Sequence, residues 1–136
     1  MERKGSCLCG DVSISISAEF QLVEYCHCQT CQRATGAPLM AWAGAATDSV
    51  RIEGDRLSSF ESSPGVERTF CSRCGTSLTI WAAAFPDVMY VSIAALDNAA
   101  SIEPEVHIWR SHRLPWLDTV DDLPRYLKFK SDGLQE

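Results

Sequence analysis

Cys26-His27-Cys28-Gln29-Thr30-Cys31 packs three cysteines into six residues, and the rest of the chain is read from that stretch outward. The remaining four cysteines stand in two pairs, Cys7-Leu8-Cys9 and Cys71-Ser72-Arg73-Cys74. Sulfurs one or two residues apart can wrap a single metal ion, because a tight turn brings both within the ~2.3 Å of a Zn–S bond. The first and last pairs together offer four thiolates and would close a tetrahedron. The middle stretch offers three and leaves one position open. Closed sites are usually structural, whereas a three-ligand site can take a substrate or water.

Disulfides explain the pattern less well. Seven is an odd number, and a secreted scaffold pairs its cysteines. Cysteines one residue apart rarely bond each other, since the ring they would close is strained. The opening Met1-Glu2-Arg3-Lys4-Gly5-Ser6 has charges with no apolar stretch behind them, so no secretory leader is expected. The expected compartment is the reducing cytoplasm, where such spacings read as metal binding or redox chemistry.

Length and composition set further bounds. A chain of 136 residues, 46% of them hydrophobic, can bury a core as one domain without help. Its longest apolar or glycine run, Leu39 to Ala46, is too short to cross a membrane as a helix. The net charge of −6 repels phosphate backbones, so no nucleic-acid partner is expected. His107 and His112 also follow Cys74 too distantly for a nucleic-acid-binding finger.

Along the chain, strand follows strand. Asp11 to Ser17 alternates, with Val12, Ile14 and Ile16 on one face and serines on the other. If that strand begins early enough, Cys7 and Cys9 lie on one side of it. Leu39–Ala45, Val50–Ile52, Leu57–Glu61, Val66–Phe70, Thr76–Trp81, Met89–Ala94 and Val106–Arg110 read as further strands. Ser62-Ser63-Pro64-Gly65 supplies a turn. Two short helices are expected. One covers Thr30 to Ala34 and is ended by Gly36 and Pro38, and the other covers Leu123 to Phe129, with Asp121 or Asp122 as cap and Pro124 in the first turn.

Cys71-Ser72-Arg73-Cys74-Gly75 is a zinc-knuckle signal that needs a second pair of sulfurs. Cys7 and Cys9 would complete it and leave Cys26, Cys28 and Cys31 as a group. Cys28 and Cys31 would instead make an ordinary zinc ribbon with one zinc, stranding the other three. The first pairing gives every cysteine a task.

The three signatures, Gly5-Ser6-Cys7-Leu8-Cys9-Gly10, Cys26-His27-Cys28-Gln29-Thr30-Cys31-Gln32-Arg33-Ala34-Thr35-Gly36-Ala37-Pro38 and Phe70-Cys71-Ser72-Arg73-Cys74-Gly75-Thr76, resemble those of the glutathione-dependent formaldehyde-activating enzyme family, whose domain is shared with centromere protein V. Pro104-Glu105-Val106-His107-Ile108-Trp109, Pro115-Trp116-Leu117 and Leu123-Pro124-Arg125-Tyr126 extend the likeness, which spans about residues 3 to 127 and leaves 128–136 as a C-terminal tail. The resemblance implies a mainly β, single-domain β-tent, or complex β-coil, with zinc-binding knuckles and few short helices. It implies two Zn²⁺ per chain. Cys7, Cys9, Cys71 and Cys74 would hold the structural ion, and Cys26, Cys28 and Cys31 the catalytic one. The implied activity is that of a carbon–sulfur lyase, joining glutathione and formaldehyde as S-(hydroxymethyl)glutathione.

The chemistry of the middle cluster fits a thiol better than a water. Three thiolates make Zn²⁺ a weak Lewis acid, while a soft fourth sulfur suits the donor set and loses its proton on binding. The alternative expectation is a non-catalytic, zinc-stabilised interaction domain. His27 lies between Cys26 and Cys28 and could be a fourth ligand, but adjacent residues on an extended segment point oppositely; His107 reads as packed in a strand rather than as a base. Arg33 and Arg73, each beside a cysteine cluster, read as solvated side chains, with substrate-carboxylate binding as the sharper alternative. Trp42, Trp81, Trp109 and Trp116 read as core or pocket wall. A redox role for Cys28 and Cys31 lacks the βαβ surroundings it would need.

Overall fold

The alternating Val12, Ile14 and Ile16 side chains all bury in one core in the computed structural model, which describes residues 2–136. Among the described residues the elements are strands β1 (Arg3–Ser6), β2 (Ser13–Ile16) and β3 (Leu22–Cys26), the single α-helix α1 (Gln29–Thr35), and strands β4 (Met40–Ala46), β5 (Val50–Glu53), β6 (Leu57–Ser63), β7 (Val66–Cys71), β8 (Ser77–Ala82), β9 (Val88–Ser92) and β10 (Val106–Ile108). The chain is mainly β, as expected. β1, β2 and β5 form a three-stranded antiparallel sheet. The other strands form a seven-stranded sheet in the order β10-β3-β4-β9-β8-β7-β6, antiparallel except where β10 joins β3.

The period of two divides the large sheet between two tasks. Val23 of β3, Ala43 and Ala45 of β4, and Val91 of β9 turn toward the small sheet and pack with Ile14 and Ile16. The alternate residues, among them Glu24, Cys26, Trp42 and Tyr90, face a cavity on the opposite side. The sheets close tightly where Gly5 bridges Leu96, and a Cβ on Gly5 would strike the Ala95 carbonyl oxygen.

Several expected boundaries shift. β1 ends at Ser6, so Cys7 and Cys9 are not on a strand; Cys7 to Gly10 is a turn closed by Gly10 N–H donating to Cys7 O at 3.1 Å. β9 ends at Ser92 and gives way to a 3₁₀ turn at Ile93–Ala95. β10 ends at Ile108 because Trp109 takes φ 56°, a left-handed conformation that stops the strand. Strands β1 and β3 were not expected. β1 is too polar to announce itself, and β3 carries Glu24 on a buried face.

The helix expected over Leu123–Phe129 does not form. This segment lies extended along the edge beyond β10: His107 N–H donates to Pro124 O, Tyr126 N–H to His107 O, and Arg110 N–H to Tyr126 O. A seven-residue helix is marginal by itself. The open edge of a sheet offers the same backbone groups partners already in place. Leu127 and Glu136 then pair back within the segment, and Glu136 grips the buried Arg110 guanidinium at 2.7 and 3.3 Å.

Candidate metal centres and cavity

Two turns bring the first and third cysteine pairs together. Gly75, at φ 81°, lets the chain after Cys74 fold back so that its N–H reaches Cys71 O at 2.8 Å. Cys7, Cys9, Cys71 and Cys74 then have all four sulfurs within 4.8 Å of one another. Cys7 Sγ lies 3.6 Å from Cys9 Sγ, and Cys9 Sγ 3.8 Å from Cys71 Sγ. A tetrahedron with Zn–S arms of ~2.3 Å has edges of about 3.8 Å, so the spacing suits one zinc ion.

Hydrogen bonds support the thiolate form there. Val12 N–H donates to Cys7 Sγ at 3.3 Å and Cys74 N–H to Cys71 Sγ at 3.5 Å. The Thr76 hydroxyl lies 3.2 Å from Cys74 Sγ while accepting from Leu8 N–H, and the bonding from Thr76 lowers the Cys74 thiol to about 5. Cys71 is completely buried.

Cys26, Cys28 and Cys31 form the second group, again with sulfurs within 4.8 Å. Cys26 comes from the end of β3. Cys28 caps α1, accepting from Cys31 N–H at 3.2 Å, and Cys31 sits in the first turn. The helix ends as its sequence suggests, with Gly36 in the left-handed conformation and its N–H on Gln32 O. The pairing of Cys71 and Cys74 with Cys28 and Cys31 is not the one the fold makes.

Without a cation these three sulfurs conflict. Hydrogen bonding with Cys28 and Cys31 drives the Cys26 thiol far up, while the same contacts and the nearby Arg68 guanidinium drive Cys31 down. A divalent ion at their centre removes the conflict, so the donor set fits the metal.

The group opens onto a cavity of about 630 Å³. Its floor is the outward face of the large sheet; α1, the turn at Trp109 and His112, and the segment Phe129–Ser131 surround it. Among its lining residues, Glu24, Trp42 and Arg68 bring buried polar groups to this largely apolar space. Glu24 is 6% exposed, and burial, with the Cys31 charge next in size, pushes its carboxyl up to about 8. The buried Trp42 Nε1 and Arg68 Nη1 have no hydrogen-bond partner among the described residues. Such convergent polar groups in an apolar pocket are the usual marks of a ligand site. Nothing in the sequence around Glu24 and Arg68 marks them as site residues, and strand position is the one signal that points to them.

The side chains singled out earlier lie at various distances from this space. Arg73 is exposed and pairs with Asp11 at 3.4 Å, and Arg33 is exposed in the last turn of α1. Trp42 and Trp109 line the cavity, while Trp116 is largely exposed. His27 turns away from the cysteines: its Nε2 lies 2.8 Å from His107 Nδ1, and His107 Nε2 lies 3.2 Å from an Asp121 oxygen. Because the carboxylate can only accept, His107 donates to Asp121 and accepts from His27.

Burial, with His107 next, lowers His27 to about 4, and burial lowers His107 as well. Both are therefore neutral near pH 7, and the unfolded chain takes up these protons first. Stability present above the ordinary histidine value of about 6.5 should fall as pH drops below it. Melting temperatures at pH 7 and pH 5 should show this decline in the wild type and a shallower one in His107→Gln. Equal slopes in the two proteins would exclude the histidine pair as its source.

The chain is similar to known proteins. The family model described as glutathione-dependent formaldehyde-activating enzyme matches residues 2–112. An "Uncharacterized lyase" of Schizosaccharomyces pombe is 35% identical over 77 residues, 57% of this chain and 56% of its own length. The chain thus matches about half the length of that relative. A "Putative glutathione-dependent formaldehyde-activating enzyme" of Halomonas elongata is 28% identical over 129 residues, covering 85% of this chain and 79% of its own. The crystal structure of a Rhodobacter sphaeroides protein matches with TM-score 0.60 and 25% identity, over 74% of this chain and 91% of that one.

Proposed function

The chain belongs to the glutathione-dependent formaldehyde-activating enzyme family, and from that premise we propose that it is a zinc-dependent carbon–sulfur lyase joining glutathione to formaldehyde. The observation that supports this reading is the contrast between the two sulfur groups. Four sulfurs close on themselves, whereas three stand at the wall of a cavity large enough for a thiol and a small aldehyde. In this reading Cys7, Cys9, Cys71 and Cys74 hold a structural zinc, and Cys26, Cys28 and Cys31 a catalytic one. The domain is taken to span residues 3–127, with 128–136 as a tail that borders the cavity.

Zinc on the three cysteines would supply a position that takes a thiol as its thiolate, lowering the thiol's pKa. The protein does the rest by placement. Holding both reactants in one cavity replaces a bimolecular encounter with a local one. Arg68 stabilises negative charge on Cys31, to which an Nη2–H donates at 3.4 Å. In the net reaction the thiol gives up its proton and its sulfur bonds to the carbonyl carbon. The C=O π pair moves to oxygen, which takes a proton to become the hydroxyl. The lyase direction is the reverse.

The test is metal content. Protein purified with zinc present should hold about two ions per chain, and mild chelation should remove the one in the open group first while the fold persists. One zinc per chain before any chelation would defeat the two-site reading and leave a zinc-stabilised interaction domain in its place.

A further inference from the structure

Arg68 occupies a costly position. It stands on β7 at a cavity-facing step, two residues after the apolar Val66, and is 6% exposed. Its Nε–H donates to Ser62 Oγ at 2.9 Å and an Nη2–H to Cys31 Sγ at 3.4 Å. Nη1 is buried with no partner. A guanidinium carries its donors in one plane and binds carboxylates as a fork. An unpaired nitrogen in a buried guanidinium is expensive unless a ligand completes it.

A second observation points the same way. A cleft of about 640 Å³ lies between α1 and strands β6 and β7, and it meets the cavity at Thr30 and Arg68. Gln29, Arg33 and Thr69 also line it, and no carboxylate does. Among the described residues Arg33 makes no ion pair. In a chain of net charge −6, a cleft with two guanidinium groups and no acid is a local anion site.

We infer that Arg68, with Arg33 in the adjoining cleft, forms a subsite for a carboxylate of the thiol substrate, so that the enzyme selects carboxylate-bearing thiols over neutral ones. The inference rests on the proposed thiol site for the placement of sulfur. A thiol sulfur at Cys26, Cys28 and Cys31 leaves Nη1 within reach of a carboxylate a short carbon chain away, since the same guanidinium already touches Cys31. The subsite supplies recognition and orientation, and no bond changes there.

Calorimetry with S-methylglutathione, which has carboxylates but no free thiol, and with its diethyl ester tests the subsite without the thiol chemistry. The free acid should bind the wild type about tenfold more tightly than the ester, the loss expected for one charge-assisted contact. Arg68→Gln should erase this preference, and the exposed Arg33→Gln should reduce it about threefold without touching the fold. Failure of the acid to bind, equal binding of acid and ester, or an equal loss of both in Arg68→Gln with no change in Arg33→Gln would overturn the inference. In the last case Arg68 serves only to hold Cys31.

Rates of adduct formation separate this inference from the lyase reading. If neither glutathione nor 2-mercaptoethanol is accelerated while the acid still binds through Arg68, the lyase reading falls and the subsite stands. If both thiols are accelerated equally, and equally in the two variants, the subsite falls and the lyase reading stands.

Discussion

Cys71→Ser should unfold or aggregate the domain, with a loss of stability approaching the order of 10 kcal/mol that a structural zinc supplies to small modules. The value for this chain should be smaller, because a hydrophobic core between two sheets remains when the metal leaves. Two effects combine at this position. The four-sulfur group loses a ligand, and a hydroxyl replaces a sulfur that is 0% exposed and packed among Leu78, Val12 and the other core residues. Cys28 is half-buried at the cavity wall, so Cys28→Ser should cost far less. Thermal denaturation with zinc analysis of both variants decides the matter. Should Cys28→Ser prove the more destabilising, the structural and catalytic assignments are reversed.

The second large effect is expected on activity. Cys28→Ser should lower the rate of hydroxymethyl-thiol formation by at least about a hundredfold while the variant keeps its strand spectrum, because the proposed open metal position would lose a ligand. Cobalt in place of zinc gives an independent reading. In the wild type the thiolate charge-transfer band should intensify when millimolar glutathione adds a fourth sulfur, and in Cys28→Ser it should not. An unchanged wild-type spectrum with glutathione and other small thiols would end the lyase reading.

The four-sulfur and three-sulfur grouping was legible because metal-ligand chemistry is local: a tight turn is enough to place two sulfurs, and the chain carries three such turns. The alternation at Val12, Ile14 and Ile16 was legible for a similar reason, since one pleated strand displays its own period. β3 was not. Its Leu22-Val23-Glu24-Tyr25-Cys26 run carries a charge on the face that turned out to be buried, and a carboxyl there makes sense only beside a cavity. The helix expected at Leu123–Phe129 failed for the complementary reason. Cap and first-turn residues describe what a segment can do alone, and here the free edge of β10 competed for its backbone groups and won.

Residues close together in the chain were enough to establish the strand-rich class, the family and the division of seven cysteines into groups of metal-binding spacing. Which pairs meet depends on the packed sheets, since Cys7 follows β1 of the small sheet and Cys71 ends β7 of the large one. The tertiary structure also decided the character of the cavity. Glu24, Trp42 and Arg68 lie on three strands of one sheet, and nothing local in the sequence marks Glu24 or Arg68 as facing a cavity. Their burial, and the unpaired nitrogens of Trp42 and Arg68, arise because β3, β4 and β7 turn the same face toward one cavity, a relation between strands distant in the chain.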